Sequence, residues 1–407
     1  MSETEVQKPV IASRPPFATS KAWRAFPSGM RRRWWLFRLP DLVARHWPLF
    51  RKRRGVLVVR MDGIGDMVLF RNSLDHYAEA LAVEKDQITV LGCESWAAIA
   101  GEVLAGYRVK AINEHSYAKQ PLYRFSVSLW ARLQAPAVVV CDAFFRRALM
   151  ADSLVWVTGA PRTVVSLPYV NEPTRPEFTY YLSQADEIVH TGDYPDHETV
   201  RHYRFVSTLL GRDVDARPPA ISWRQEKPGF GIEAPYAVLN PGSNEPGRRW
   251  PLGGYKNIAM RLLERRLKVV FVGTASEMAE EVKDLAAEPG VVDLIGRTDM
   301  TQLMDVMNNA ELVISNDSGP AHLAVGLGVA SVIVVGGGHF GCFFPYPQGV
   351  TPARARFVYH RMDCYHCFWR CHLRQDRQDA FPCIAAVEED QVWEAAAQLL
   401  DSSETKP

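Results

Sequence analysis

No run in the 407 residues reaches the ~18 uninterrupted apolar positions that a membrane-spanning helix needs. The first thirty residues lack the apolar block of a secretory signal, so a cytoplasmic protein is expected. Charged residues make up 23% and apolar ones 47%, a balance that excludes a disordered chain, a fibre and a coiled coil. The length exceeds one ordinary domain, and two are expected. Cysteine is sparse except in one place. Cys93, Cys141 and Cys342 are scattered in apolar surroundings and read as small buried hydrophobes. Cys364, Cys367, Cys371 and Cys383 fall within 20 residues. In a long cytoplasmic chain such a cluster reads as metal-binding or redox-active rather than as a disulfide framework.

The formal net charge is +1, yet residues 1–54 alone carry +10. Trp23, Phe26, Trp34, Trp35, Phe37, Trp47 and Phe50 are interleaved with that charge. Cations beside Trp and Phe suit an anionic membrane surface, where rings sit at headgroup level and cations meet lipid phosphates. That is the leading reading of this extension. Wrapping over the protein's own acidic remainder is the second, and nucleic-acid binding the third. Nothing else in the chain supports nucleic-acid recognition, so no such partner is expected.

From residue 55 apolar runs alternate with helical patterns. VLVV (56–59) enters a glycine-containing turn and a helix expected from about Met67 to Leu81; ITVLG (88–92) and AVVVC (137–141) are further buried strands. Residues 168–235 break the rhythm. Strands then start near 236, 267, 291, 311 and 331, and a helix over 388–400 precedes a polar tail. Continuous apolar runs separated by helices mark parallel sheets covered on both faces. The expected fold is therefore α/β, with two Rossmann-like domains whose parallel sheets face each other across a cleft. The expected divisions are a basic aromatic extension (1–54), an N-terminal domain (55–225), a C-terminal donor domain (226–360) and a Cys-rich segment with the last helix (361–407).

In open parallel sheets ligands bind at the carboxyl ends of strands. The first strand runs into Arg60-Met61-Asp62-Gly63-Ile64-Gly65-Asp66. This is a poor dinucleotide fingerprint, because position 68 is Val and a carboxylate would repel a pyrophosphate. Asp66 suits a general base better, with helix capping as the plain alternative. The segment from Asn240 to Pro251 places Ser243, Asn244, Arg248 and Arg249 after a strand, a donor set for a phosphate or diphosphate. Glu277 follows the next strand, where acidic residues hold a ribose or cap a helix. Asp317, Ser318, Gly319, Pro320 and His322 open a helix after another apolar strand, aiming its positive end at any bound anion. Ser318 and His322 are four apart, the spacing of one helix face. Gly326 and Gly328 are expected to let this helix lie close to the sheet.

Together NDSGPAHLAVGLG (316–328), GRRWP (247–251) and the early IGD turn (64–66) resemble family 9 glycosyltransferases, the heptosyltransferases of lipopolysaccharide core assembly. The resemblance spans roughly residues 55–400. It implies a GT-B fold, a nucleotide-activated sugar donor (typically ADP-heptose), and inversion at the anomeric carbon without a catalytic metal or other required cofactor. By the same resemblance Asp66 matches the general base. Ser243, Asn244 and Arg248 match phosphate contacts, Arg248 standing where the family has Lys. Glu277 matches a ribose contact, and Asp317, Ser318, Gly319 and His322 match the loop that holds donor sugar and diphosphate. The extension of about fifty residues is unlike the family, as is Asp62-Gly63, where many members have two small hydroxyl residues. The implied acceptor is a glycolipid or other glycan. With the basic aromatic extension as a membrane contact, the expected location is cytoplasmic, at the periphery of the inner membrane.

The cluster Cys-x2-Cys-x3-Cys-x11-Cys contains His366 and His372. Thiolates at this spacing suit a structural Zn²⁺ or iron, with free thiols and a redox role as alternatives. Two other function classes stay open: a nucleotide-sugar epimerase of the same architecture, and a non-catalytic membrane-associated scaffold.

Overall fold

The β-branched runs fold into strands with no solvent-facing side, as parallel pairing requires. The protein is described here by a computed structural model covering residues 19–275 and 288–404. It contains two six-stranded sheets, parallel throughout. The first comprises β1 (Val56–Arg60), β2 (Ile88–Cys93), β3 (Arg108–Ile112), β4 (Val138–Cys141), β5 (Arg162–Ser166) and β6 (Glu187–Val189), in the order β3-β2-β1-β4-β5-β6. The second comprises β7 (Tyr236–Asn240), β8 (Lys268–Phe271), β9 (Val291–Asp293), β10 (Leu312–Asn316), β11 (Ser331–Val334) and β12 (Ala355–Val358), in the order β12-β11-β10-β7-β8-β9. Both orders are the doubly wound arrangement, with reversal points between β1 and β4 and between β7 and β10.

Three strands escape the apolar pattern for one reason. Edge strands β3 and β12 and the near-edge β5 carry Arg108, Lys110, Arg356 and Arg162, because a sheet margin faces water and tolerates charge. The stretch 168–235 is also more ordered than its composition indicates. It holds helices Arg175–Leu182 and Glu198–Leu210 flanking β6, and only the part beyond residue 211 is irregular.

Four helices matter below: α1 (Arg32–His46), α2 (Ile64–Leu74), α3 (Gly319–Gly326) and α4 (Glu389–Glu404). Helix α2 opens one turn before the residue where its apolar run starts, because Ile64-Gly65-Asp66 already form its first turn. Helix α4 packs on the second sheet through Val392, Ala396, Leu399 and Leu400, and extends into the expected polar tail.

Contacts group the chain into two compact units: Met1–Gly63, Ser73–Tyr194 and Val200–Asp215, and Ile64–Asn72, Pro195–Thr199 and Ala216–Pro407. Most of α2 thus belongs with the second sheet. The described part of the basic extension packs into the first unit. Trp34, Phe37, Asp41 and Ala44 of α1 are buried, and the Trp34 ring lies 4.9 Å from Tyr180 at 77°. Asp41 accepts from Arg124 at 2.7 and 3.0 Å, both side chains inaccessible to water. Removing one member of such a buried pair typically costs ~3–5 kcal/mol, so α1 is anchored and not merely draped. Its other face leaves Trp35, Leu36, Leu39 and Val43 exposed, and Phe26 and Phe50 stand out on either side in sequence. Among the described residues no helix is long and apolar enough to cross a membrane.

Candidate active site

The reversal point of the second sheet lies between β7 and β10, so the loops leaving these two strands are where a ligand is expected. Two buried asparagines end the strands and tie those loops together. Asn240 donates to Ser315 Oγ at 3.0 Å and Ser318 Oγ at 3.4 Å. Asn316 donates to the Pro241 carbonyl at 2.7 Å, while its Oδ1 accepts from the Trp250 N–H at 2.9 Å and the Tyr255 hydroxyl at 3.1 Å. A carboxamide with both ends satisfied fixes its neighbours, because a lost partner would strand a buried polar atom.

Arg248 then spans the loops. Its Nη2 donates to the Asp317 carbonyl at 2.6 Å and to Asp317 Oδ1 at 3.0 Å. Burial pushes the Asp317 carboxyl above its ordinary range, and the Arg248 charge opposes that shift. Ser243 is buried, and its carbonyl accepts from Arg249 Nε at 2.9 Å; Asn244 is exposed on the same loop. Ser318 stands at the N-cap of α3 in extended conformation, with Gly319 and Pro320 in the first turn. One loop region thus gathers two guanidinium groups, Ser243, Ser318 and the positive end of a helix, a cradle for a diphosphate-like anion. Glu277 lies outside the described residues.

Asp66 sits in the first turn of α2, within the same unit as the cradle. The contact that puts it near α3 is made by its neighbour. A Cβ on Gly65 would come 2.5 Å from His322 Cδ2, and one on Gly319 would lie 3.4 Å from Ile64 Cβ. Farther along, a Cβ on Gly326 would meet Val68 at 2.9 Å, so this glycine serves helix-on-helix packing and not the approach to the sheet expected for it. Gly328, at φ +75°, makes the left-handed turn after the helix. His322 is buried and stacks on Phe344, with centroids 4.0 Å apart at 13°. Burial above all, then His197 and Arg248, push its pKa down to about 3, so it is a neutral imidazole at physiological pH.

Sequence reasoning missed the Cys-rich segment as part of this site. Phe381 N–H donates to the Gly247 carbonyl at 2.7 Å, Arg374 Nη1 donates to Glu245 Oε1 at 2.6 Å, and the Trp369 ring lies 4.5 Å from the Arg248 guanidinium. Trp369, Arg374 and Phe381 therefore hold the 245–248 loop from behind. The signal was the run Gly336-Gly337-Gly338 after β11. A Cβ at these positions would come 2.8 Å from Ile384, 2.3 Å from Tyr365 and 2.2 Å from Trp369, so only glycine admits the segment.

Cys364, Cys367, Cys371 and Cys383 line one cavity of about 10 Å³, room for a single small particle. Burial raises the thiol pKa of Cys364, Cys367 and Cys383, and Cys371 adds to the shift at each. The Gly337 N–H donates to Cys383 Sγ at 3.5 Å. The thiols are not drawn into a finished ligand set: among the described residues no group of three or more His, Cys, Asp or Glu is arranged to hold a metal ion. Cys93, Cys141 and Cys342 are buried, as their surroundings indicated.

At the reversal point of the first sheet a second network was also unforeseen. Arg60 bonds Asp142 at 2.5 Å and Asp62 at 2.6 Å, and His202 Nδ1 lies 2.8 Å from Asp142. Burial would push Asp142 up, yet His202 and Arg60 hold it well below the usual carboxylate range. Asp62, unlike the family's small hydroxyl residue, thus has a structural partner.

Two doubly wound sheets with an anion cradle at the reversal point of the second define a GT-B-type protein. The model of glycosyltransferase family 9 (heptosyltransferase) matches residues 173–355 of this chain. The chain is 31% identical over 87 residues to lipooligosaccharide heptosyltransferase 2 of Haemophilus ducreyi, a stretch covering 20% of this chain and 25% of that relative. The chain spans a quarter to about half of the length of the curated relatives it matches. Its fold is similar to a glycosyl transferase family 9 structure from Veillonella parvula, with TM-score 0.68, 17% identity, and coverage of 87% of this chain and 100% of that one. It is also similar to the iron-containing glycosyltransferase TibC of enterotoxigenic E. coli, with TM-score 0.53, 15% identity, and coverage of 86% and 77%.

The buried neutral His322 makes stability fall with acid. Its folded pKa lies below the unfolded value of ~6.5, so the unfolded chain binds more protons between those limits and stability drops as pH falls from ~6.5 toward 3. His322→Gln is expected to flatten that loss by up to ~1.4 kcal/mol per pH unit, read by urea unfolding at pH 7.5, 6 and 5. Parallel curves for the two proteins would remove His322 as the cause.

Proposed function

We propose that the chain transfers a sugar, heptose from ADP-heptose, to a hydroxyl of a lipopolysaccharide-type or other glycan acceptor, with inversion at the anomeric carbon. The observation that carries this reading is the Arg248 bridge to Asp317, which brings the two motif loops into one cradle at the sheet's reversal point. TibC forms a complex with ADP-D-β-D-heptose, which supports the donor.

In this reading the donor diphosphate lies on Ser243, Asn244, Arg248 and the start of α3. Asp66 takes the acceptor's hydroxyl proton as its oxygen attacks the anomeric carbon. The bond from that carbon to the diphosphate breaks, and its electron pair leaves with the nucleoside diphosphate. The leaving group gains charge as it departs, so a guanidinium and helix dipole fixed in advance stabilise the transition state more than the ground state. His322, uncharged and stacked, shapes the wall and adds no competing charge. Asp66→Asn is expected to lower turnover ~10²–10⁴-fold while ADP affinity stays unchanged, measured by steady-state kinetics and calorimetric titration. Full turnover in that variant would strip Asp66 of this role.

The four clustered cysteines are assigned to a structural metal, zinc or iron. A shared cavity the size of one ion, a backbone N–H on Cys383 Sγ and the upward push of burial on the Cys364, Cys367 and Cys383 thiols fit a site that a cation would deprotonate and draw together. TibC, named as iron-containing, supports iron. When bound, the metal would stiffen the segment carrying Trp369 and Arg374. Elemental analysis of protein purified without chelator is expected to find about one equivalent, lost in Cys364→Ser; none in either protein ends this assignment.

The exposed face of α1 is assigned to an anionic membrane surface, with Leu36 and Leu39 entering the interface and Arg51 and Lys52 meeting lipid phosphates. Co-sedimentation with phosphatidylglycerol vesicles is expected, and Leu36→Glu with Leu39→Glu is expected to abolish it. Equal sedimentation of both proteins would refute this contact.

A further inference from the structure

The first unit contains a cavity of about 630 Å³ whose wall no motif foretells. It lies where the chain leaves β4 and β5: Phe145–Met150 follow the one and Tyr169–Asn171 the other, the edge at which open parallel sheets bind ligands. Arg31–Arg33 and Phe37, from the start of α1 and the residue before it, form another side of the wall, which Ala118, Arg124, Thr174 and Phe178 complete. The basic extension thus completes a concave site on the sheet beneath it.

The charge of that wall is one-sided. Six arginines line the cavity and no carboxylate does. Three of the six are matched from behind: Arg31 by Glu177 at 2.5 and 2.6 Å, Arg124 by Asp41 at 2.7 Å, and Arg146 by Asp152 at 2.9 Å. The other three, Arg32, Arg33 and Arg147, are exposed and have no carboxylate partner among the described residues. Beneath them lie Phe37, Leu149 and Phe178, all buried. Matched arginines are rigid supports, whereas unmatched ones gathered over an apolar floor leave positive charge that a ligand would neutralise. A guanidinium takes phosphate or carboxylate oxygens in a two-point fork, and the floor adds burial of carbon. The volume is that of a small-molecule site, sized for a sugar or two and not for a polymer strand.

We propose that this cavity binds the anionic group of an amphipathic acceptor, a sugar bearing phosphate or carboxylate next to an apolar chain, with Arg32, Arg33 and Arg147 as its recognition residues. The proposal rests on the transferase reading for the word acceptor, and on the cavity alone for the binding.

The test is calorimetric titration of the full chain, without donor, using n-octyl glucoside 6-phosphate, n-octyl glucoside and inorganic phosphate. The phosphorylated glycolipid is expected to bind at least about 10-fold more tightly than either other probe. Arg33→Gln with Arg147→Gln is expected to weaken it about 100-fold, the loss of two charge-assisted pairs, with an unchanged melting temperature. Equal affinity of the two proteins overturns the site. Inorganic phosphate binding as tightly as the phosphorylated glycolipid overturns the amphipathic ligand, and so does absence of binding by that glycolipid at millimolar concentration. No turnover enters the measurement, so a chain with the expected binding pattern but no sugar transfer would refute the transferase reading and leave this one standing.

Discussion

The second unit depends on keeping two buried carboxamides satisfied. Asn240 and Asn316 end adjacent parallel strands, and their hydrogen bonds reach both departing loops, the N-cap serine of α3, the Trp250 amide and the Tyr255 hydroxyl. Each loop is irregular backbone that would otherwise carry unpaired polar groups. Bonding them to side chains at the ends of rigid strands turns flexible segments into a fixed surface. Arg248 can span to Asp317 because both of its anchor points are already held.

A second constraint is steric. Gly65 and Gly326 let α2 lie against α3 with His322 and Val68 in the space where a side chain would stand, and Gly336–Gly338 admit Tyr365, Trp369 and Ile384 in the same way. These contacts bring Asp66's helix and the Cys-rich segment to the same strand ends from different parts of the chain. The cradle is therefore built from four separated segments, and its donors owe their positions to residues that touch no ligand. In the first unit the same logic takes an electrostatic form. Arg31, Arg124 and Arg146 are neutralised from behind by Glu177, Asp41 and Asp152, which fixes the scaffold and leaves Arg32, Arg33 and Arg147 uncompensated.

Much of this was legible in the sequence. The central strands of both sheets announced themselves as continuous apolar runs, and the segments around 243–248 and 317–322 were identifiable because cap residues, hydroxyls and arginines followed such runs. Edge strands β3 and β12 were not legible, since a strand at a margin need not be apolar. Order within 168–235 was hidden because helices such as Glu198–Leu210 bury their polar residues, among them Arg201 and His202, in ion pairs and hydrogen bonds; no apolar stripe records that partnership. The basic extension was read first as a membrane surface and second as a wrap over the protein's own remainder, and one face of it packs within its own unit.

By itself, the sequence determined the α/β alternation, the parallel pairing and the strand ends that carry chemistry, because these follow from local periodicity and from the chemistry of caps and turns. Tertiary structure alone decided that Trp369, Arg374 and Phe381 brace the loop of Arg248, that Gly65 sets Asp66 beside α3, and that arginines of the extension close a cavity over β4 and β5. Those outcomes depend on which distant segments meet, and meeting is set by shape and by compensation of buried charge, neither of which leaves a periodic trace along the chain.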